Sequence, residues 1–472
     1  MLQKIIYPIL IISLLFFYPY LPEYMDRWIM TLFLVIGFVV LILFFYRKEH
    51  ILTLRKHYLI HSFLFLLGYI IVHFQYPLDY VLGNVSESNF FIWVNKSIVV
   101  KSLYLSLIGL ISFIWGYSLY KNKPKASRVE AHEIAVPTQS LVWISAILLA
   151  LYFYTVNPLY LFGYYGSVSM GTTATYVILL FQVFIFAILI QNIRNMRLKK
   201  IVPSSFIDYI KHQGIFLLII IIIYLLSVMF SGDRGPIITF SIAYVAGYFF
   251  VTGKKLSLIR TVAFAILAAL FITILGMTRS LDKDMSFSDR LKESIGQSQF
   301  SEPSILPQTI ELAGSIRTFH TVVDFVPDRH PHTLGRFQLQ QIVVSIPFSS
   351  RLLSFLPESD HYRFKSPASF ATWIIQGDNP TSGAGTTSNA DLYVEFGLLG
   401  ILVGMFFFGV FMRYAEVTFY SSTLPLLFPH ILAFVYLCDA LYIARSSILF
   451  GFRTVVWIYV VLLINRFIFT RR

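Results

Sequence analysis

Long apolar stretches alternate with short polar connections along most of this chain. Twelve of the stretches are long enough, or nearly long enough, to cross a membrane as helices. They cover residues 5–20, 28–46, 58–74, 103–120, 139–154, 174–193, 214–230, 237–251, 261–277, 392–412, 424–444 and 454–467. The pattern predicts an all-α polytopic membrane protein with about twelve transmembrane helices.

One long interval interrupts this alternation. The prediction divides the chain into helices one to nine (residues 1–277), a large loop (residues 278–391) and helices ten to twelve (residues 392–472). The loop contains too many apolar residues for a solvated linker, so we expect it to fold against the membrane domain. Residues 308–326, between Pro307 and Pro327, predict an amphipathic helix.

Composition supports the membrane assignment and excludes several other classes. The 472 residues are 57% hydrophobic and only 13% charged, which is too apolar for a soluble domain of this size. The net charge of +13 is explained by basic cytoplasmic loops, and we expect no nucleic-acid partner because basic patches interleaved with aromatics are missing. The single cysteine, Cys438, excludes an intrachain disulfide and a cysteine metal cluster.

The distribution of Lys and Arg predicts the orientation. Most of them lie in connections that follow an even-numbered run, such as Lys121, Lys123, Lys125 and Arg128. The positive-inside rule then places both termini in the cytoplasm and the large loop outside. We expect the first run to be a retained span, since no small-residue cleavage site follows it. No internal repeat is visible, which disfavours transporter folds built from duplicated halves.

Arg234 lies in the short turn between the seventh and eighth runs. Pro236 is placed to start the next helix, whose positive dipole end would face outward beside Arg234. An arginine beside a helix N-terminus is a reasonable place for a phosphate. The alternative is a simple ion pair with the neighbouring Asp233.

The end of the large loop is a second candidate phosphate site. Gly383 and Gly385 belong to a Gly/Ser/Thr segment whose backbone N–H groups could hold a phosphate. The alternative is a plain capped loop with Ser388 or Asn389 as the N-cap of the tenth helix.

Two further arginines, Arg445 and Arg453, flank the last outside turn. Either could bind a phosphate or merely contact lipid headgroups. Arg445 follows Asp439 within a helix pair, which makes a functional role easier to argue for it than for Arg453.

Asp391 and Glu395 lie one turn apart at the start of the tenth run. Carboxylates at a hydrocarbon boundary are costly unless they are paired or used. We therefore take both as candidate catalytic residues. The alternative for Asp391 is a carboxylate favoured by the helix dipole in a plain capped loop, and the alternative for Glu395 is structural pairing with an arginine.

Arg317, His320 and Asp324 share one stripe of the amphipathic loop helix, at spacings i, i+3 and i+7. His320 has the chemistry of a general base, and Asp324 could orient it. We expect the stripe to face a cavity shared with Asp391 and Glu395. The alternative is a surface histidine.

Neither metal-like motif is convincing. Asp282-Lys-Asp284 has the D-x-D form of metal-binding nucleotide-sugar enzymes, but the match is short and an outside face holds no nucleotide sugar. His330-Pro-His332 lacks further ligands at usable spacing. We predict no metal site and no cofactor.

Three segments resemble the Wzy-type oligosaccharide repeat-unit polymerases, the O-antigen and exopolysaccharide polymerases. Residues 307–347 resemble their outer loop, residues 383–400 resemble the end of that loop, and residues 231–236 resemble a short arginine turn. The layout of many spans with one large loop near the C-terminal third is also similar. Asp391 stands where members of that family more often carry Glu.

The resemblance implies a metal-independent GT-C-like glycosyltransferase in the bacterial cytoplasmic membrane. It would join undecaprenyl-pyrophosphate-linked repeat units at the outer leaflet. Membrane lipid, the lipid-linked oligosaccharide, a chain-length regulator and a flippase are the expected partners. The candidate residues named above fit this reaction. His320, Asp391 or Glu395 could supply the catalytic base, and the candidate pyrophosphate-binding residues are Arg234, Arg317, Arg445, Arg453, Gly383 and Gly385.

Two other classes remain open from the sequence. A lipid-linked glycan ligase would share the layout but pass the chain to a different acceptor. A lipid-linked oligosaccharide flippase would be a transporter, with duplicated halves and no folded outer loop.

The orientation predicts which cysteines a membrane-impermeant reagent reaches. Ser301→Cys or Ser359→Cys should react on intact cells, whereas Lys125→Cys should react only after permeabilisation, because the basic connections stay inside. Labelling of position 125 on intact cells would contradict the predicted orientation.

Overall fold

The computed structural model describes residues 3–46, 57–120, 135–161, 170–231, 235–268, 304–346, 349–353, 361–421 and 428–470, with positions 54, 168, 289 and 356. These residues form an all-helical fold, as the apolar pattern predicts. Each predicted apolar run overlaps one helix, and the rest of the ninth run (residues 269–277) and the start of the eleventh (residues 424–427) lie outside the described residues. In chain order they are α1 (Gln3–Phe17), α2 (Arg27–Phe45), α3 (His61–Val81), α4 (Val99–Leu119), α5 (Gln139–Thr155), α6 (Thr172–Leu198), α7 (Ile215–Ser231), α8 (Gly235–Thr252), α9 (Leu258–Ala268), α10 (Ser388–Ser421), α11 (Phe428–Ile443) and α12 (Phe452–Thr470).

Within the described chain, seven of these helices are long and apolar enough to cross a membrane: α2, α3, α4, α6, α8, α10 and α12. An eighth is α7, counted together with the short helix Phe206–Gln213, to which it is bent by 96°. The other four, α1, α5, α9 and α11, are shorter apolar helices. Length and composition are therefore those of a polytopic membrane protein.

The outer helices keep apolar faces that no other helix covers. On α2, Leu32, Val35, Val39 and Ile42 follow helical spacing and are each about half exposed, between 49% and 56%. The opposite face of the same helix is buried. A face of this kind would be unfavourable in water, and hydrocarbon is the environment that suits it.

Helix α4 lies at the centre of the bundle, packed against α1, α2, α3 and α10. Its closest crossing is with α10. A Cβ at Gly116 would lie 1.9 Å from the Phe406 carbonyl oxygen, and a Cβ at Gly409 would lie 2.0 Å from that of Phe113. Only glycine allows the two backbones to approach so closely. The crossing therefore holds α10, which carries Asp391 and Glu395, against the central helix.

The connections predicted to be cytoplasmic meet at one end of the bundle. The Leu256 N–H donates to His57 Nδ1 at 2.9 Å, which joins the connections after α2 and α8. The Asn195 side chain donates to the Val136 carbonyl at 2.7 Å, which joins the end of α6 to the connection before α5. We call the opposite end, where α3 ends and α10 begins, the loop end.

The loop segment, residues 304–387 as far as they are described, covers the loop end with short helices. The predicted helix 308–326 is interrupted at Gly314 and Ser315, and it ends before Pro327 as expected. Phe319, Phe337 and Phe370 are fully buried in the core of the segment. Its α-helices are Ile310–Ala313, Ile316–Phe325, Arg336–Val343 and Pro367–Gln376, and its 3₁₀ turns are Pro307–Thr309, Ser349–Leu353 and Tyr362–Phe364. Elsewhere the short helices are Tyr18–Tyr20, Phe90–Trp93, Lys96–Ile98 and Pro158–Leu161.

Two polar residues in the last turns of α3 fasten the start of the loop segment. The Asp79 carboxylate accepts from Ser304 Oγ at 2.7 Å and from the Ile305 N–H at 2.8 Å. Gln75, one turn earlier, donates to the Leu306 carbonyl at 2.9 Å. Buried polar groups with several partners resist separation, so the segment is docked rather than tethered.

Candidate functional site

Helix α10 begins with a hydroxyl cap at the loop end. Thr387 Oγ1 accepts from the Ala390 N–H at 3.1 Å, so Thr387 is the N-cap rather than Ser388 or Asn389. The Ser388 N–H donates to the Ala444 carbonyl at 3.2 Å, which ties this first turn to the end of α11. Asp391 therefore lies in a buried first turn, where the helix dipole favours a carboxylate.

Asp391 is fully buried but only partly satisfied. Its Oδ2 accepts from Ser447 Oγ at 2.8 Å. The Gln338 side chain and the Ile448 N–H face the carboxyl group without reaching hydrogen-bond geometry. Oδ1 has no hydrogen-bond partner among the described residues. This oxygen is free to accept a proton or a ligand hydrogen bond.

Glu395, one turn later, has a different environment. Its carboxylate accepts four hydrogen bonds, from Thr333 Oγ1 (2.6 Å) and the N–H groups of Gly335 (2.6 Å), Phe337 (2.7 Å) and Gln338 (3.3 Å). These amides belong to the start of the Arg336–Val343 helix, so Glu395 caps that helix from outside it. The sequence offered pairing of Glu395 with an arginine as the alternative to catalysis. In the structure the Glu395 carboxylate pairs with backbone amides instead.

A break in α10 explains why the loop can reach Glu395. Phe396 (φ −140°, ψ 19°) and Gly397 (φ 60°, ψ −140°) leave helical geometry. The break frees the carbonyls of Val394 and Glu395, which accept from the N–H groups of Thr333 (3.0 Å) and Leu334 (3.1 Å). The positive φ at position 397 favours glycine. Residues 333–338 thus donate hydrogen bonds both to the carbonyls freed by the break in α10 and to the buried Glu395 carboxylate.

Arg317, His320 and Asp324 do share one stripe, but it lies against residues 91–95 instead of a cavity. Arg317 stacks on the Phe91 ring at 4.1 Å. His320 Nδ1 donates to the Ile92 carbonyl at 2.9 Å, and its ring lies 5.9 Å from that of Trp93. Asp324 accepts from Asn95 Nδ2 at 2.6 Å and pairs with Arg329 at 3.3 Å. The stripe is an interface within the protein, and its contacts do not include Asp391 or Glu395.

His320 is fully buried, so the alternative of a surface histidine is wrong. Burial lowers its pKa from 6.5 to about 4, against the opposing effect of the hydrogen bond to Ile92. The ring is therefore neutral at pH 7. It is oriented by the Ile92 carbonyl and not by Asp324, whose carboxylate is engaged with Asn95 and Arg329.

The two late arginines occupy different places. Arg445 lies in the turn between Ala444, which accepts from Ser388, and Ser447, which donates to Asp391. Its guanidinium forms no hydrogen bond or ion pair with the described residues. Arg453 is exposed in the first turn of α12, where it lines a cavity of about 280 Å³ with Thr172, Thr175, Tyr176 and Leu179. The structure therefore brings Arg445, and not Arg453, into the turn that contacts Asp391.

The glycines predicted to hold a phosphate lie in the segment that enters α10. Gly385 has a φ of 76°, which favours glycine, and a Cβ at Gly383 or Gly385 would meet no atom within 4 Å. Between them, the Ala384 N–H donates to Thr372 Oγ1 at 2.9 Å. This contact holds the segment against the Pro367–Gln376 helix. Arg234 lies outside the described residues, which resume at Gly235 with the start of α8.

Sequence reasoning missed several polar residues that shape this end of the bundle. Gln75 and Asp79 stand at i and i+4 in an apolar run, a spacing that could have indicated a shared anchoring face. Gln338 and Ser447, which face Asp391, carried no comparable signal because they lie 53 and 56 residues away from it along the chain.

Comparison of the chain with known protein families, with curated proteins and with solved structures found no match. The chemistry of the site is therefore argued from its own residues. These are a buried carboxylate with one oxygen that has no hydrogen-bond partner among the described residues, and a neighbouring turn whose Arg445 side chain pairs with none of them.

Replacing Glu395 by glutamine should release the Arg336–Val343 helix. The change puts an NH₂ group against backbone donors and removes a charge, at a cost on the order of 2 kcal/mol. Hydrogen–deuterium exchange should report about 30-fold lower protection in residues 333–343. The exposed Glu87→Gln is the matched control and should change nothing there. Unchanged protection in Glu395→Gln would contradict the capping role.

Acidification should loosen the Ile316–Phe325 helix from residues 91–95. The pKa of His320 is about 4 when docked and 6.5 when undocked, so the undocked helix takes up the proton first. The docking free energy is complete above pH 6.5 and falls as the pH drops towards 4, by about 2 kcal/mol at pH 5. Exchange protection of residues 316–325, corrected for intrinsic rates, should fall about 30-fold between pH 7.5 and 5.

The control for this pH dependence is His320→Asn, which cannot titrate. It keeps Arg317 and Asp324 on the same helix and His73, whose ring lies 5.5 Å from Phe319, on the facing helix α3. A pH dependence that persists in this variant would assign the effect to one of those groups instead.

Proposed function

We propose that this chain is a GT-C-like membrane glycosyltransferase that polymerises undecaprenyl-pyrophosphate-linked oligosaccharide repeat units. The observation that carries the proposal is the buried Asp391 carboxylate, with an open Oδ1, beside the turn that holds Arg445. A carboxylate that can accept a proton and an arginine that can bind a phosphate are the two groups that this transfer needs.

The proposed membrane arrangement has twelve spans, both termini in the cytoplasm and the loop segment on the outer face. Among the described residues, an apolar helix overlaps each of the twelve predicted runs, and this overlap supports the proposed span number. The connections after α2, α6 and α8 are predicted to be cytoplasmic, and they contact one another at the end opposite the loop, through Leu256 and His57 and through Lys254 and Ser204. This common end supports the proposed orientation.

The reaction can be written with the groups at the loop end. The acceptor hydroxyl oxygen attacks the anomeric carbon of the lipid-linked chain, and the bond from that carbon to the pyrophosphate oxygen breaks. The acceptor proton passes to a carboxylate, and undecaprenyl pyrophosphate leaves with the bonding electron pair. The positive charge of Arg445 stabilises the negative charge that develops on the leaving pyrophosphate, so the proposed reaction needs no metal ion for this.

Asp391 is the best candidate for the base among the three predicted residues. Both Glu395 oxygens are occupied by hydrogen bonds that hold the loop segment. His320 is buried against residues 91–95, on another contact surface. Asp391 alone combines a carboxylate with an unused oxygen. In this proposal Arg317 supports the loop interface, and Arg234 and Arg453 remain candidate pyrophosphate contacts.

Deletion of the gene and complementation with Asp391→Asn test the proposal. A polymerase deletion leaves one capped repeat unit, and Asp391→Asn should not restore polymer, because loss of a positioned base lowers the rate about 100- to 10,000-fold. The measurement is the surface-glycan ladder together with the amount of protein in the membrane.

The matched control is Asp328→Asn, an exposed loop carboxylate, which should restore full polymer. Absence of any repeat unit in the deletion strain would indicate a flippase, and long chains stranded on lipid would indicate a ligase. Full polymer with Asp391→Asn would remove Asp391 from the mechanism.

A further inference from the structure

Gln338 has a side-chain amide whose polar atoms are both buried. Its backbone N–H donates to Glu395, but its Nε2 and Oε1 atoms are both buried without a hydrogen-bond partner in the described chain. The amide faces the Asp391 carboxyl group. Buried amides without partners are rare in proteins, and each one calls for an explanation.

Ser388, three residues before Asp391, has a second polar group without a partner among the described residues. It is fully buried, and its Oγ has no hydrogen-bond partner among the described residues. Ser388 and Asp391 are three residues apart in the first turn of α10, so they share a face. Asp391 thus has Gln338 facing its carboxyl group and Ser388 on its own helix face, and the three side chains contribute an amide, a hydroxyl and a carboxylate oxygen without partners in the described chain.

We infer that Gln338, Ser388 and Asp391 form a subsite that binds adjacent hydroxyl groups of a neutral sugar. The inference rests on the proposed function and deepens it by assigning the acceptor side. The Gln338 amide can donate to one sugar oxygen and accept from a neighbouring hydroxyl. Asp391 Oδ1 accepts from the hydroxyl that is to react, and Ser388 Oγ can donate or accept.

The mixture of donors and acceptors favours a sugar over an ion. A phosphate would meet the Asp391 carboxylate, which offers only an acceptor when ionised. A metal ion usually needs several such ligands, and the part of the chain that the structure describes has no group of three His, Cys, Asp or Glu side chains suited to one. A neutral polyol can use an amide, a hydroxyl and a carboxylate together.

Binding of methyl glycosides to the full-length protein tests the subsite. Saturation-transfer NMR would be recorded on protein in nanodiscs free of sugar-based detergent, with the methyl glycosides of glucose, galactose, mannose and N-acetylglucosamine. The wild type should bind at least one of them. Gln338→Leu should weaken that binding about tenfold, because two hydrogen bonds to the ligand are lost. The backbone bond to Glu395 does not depend on this side chain.

Gln340→Leu is the matched control. It makes the same change on the same helix, about 200° around the axis, and should leave binding unchanged. Exchange protection of residues 333–343 shows whether each variant stays docked. If Gln338→Leu undocks the helix, the test uses Gln338→Asn instead. This variant keeps the amide but is one methylene shorter, so it should also bind the glycoside more weakly than the wild type.

The outcomes separate this inference from the proposed function. Equal binding by docked Gln338→Leu or Gln338→Asn and the wild type would overturn the subsite, whatever the deletion strain shows. No binding of any glycoside by the wild type would overturn it as well. If the deletion strain makes normal polymer, the polymerase proposal is wrong. A sugar site would still be established in that case if Gln338→Leu selectively loses glycoside binding.

Discussion

The loop end of this protein depends on the carboxylate of Glu395. Four hydrogen bonds reach it, three of them from backbone amides of a segment about 60 residues earlier in the chain. The break at Phe396 and Gly397 exposes the neighbouring carbonyls to the same segment. A charged group near hydrocarbon is tolerated when it is fully hydrogen-bonded, and here that requirement also docks the loop.

This arrangement separates two carboxylates that lie one helical turn apart. Glu395 has both oxygens engaged in structure, whereas Asp391 has one oxygen bound to Ser447 and one unused. The Gln338 side-chain amide faces this carboxyl group, and Ser388, three residues before Asp391, has an Oγ atom without a hydrogen-bond partner among the described residues. The proposed function therefore gives Glu395 a structural role and Asp391, one turn earlier, a chemical role.

The loop segment is held at further points, each with its own chemistry. Asp79 and Gln75 bind its start, residues 91–95 receive the stripe of Arg317, His320 and Asp324, and Trp457 Nε1 donates to the Ser345 carbonyl at 2.9 Å. These contacts come from α3, from the segment before α4 and from α12. A loop fastened to three separate parts of the bundle can present Gln338 to Asp391 with little freedom, which favours a preorganised site.

The helices and their order were determined by the sequence itself, because an apolar run of membrane length has few alternatives to a helix in hydrocarbon. The candidate carboxylates could also be found there, since charge is costly in such runs. The different surroundings of Asp391 and Glu395 could not be found in the sequence. They depend on what distant residues offer each carboxylate: residues 333–338 to Glu395, and Ser447 and Gln338 to Asp391. The stripe of His320 was likewise visible as a helical spacing, but its partner was decided by the tertiary structure, which places residues 91–95 against it.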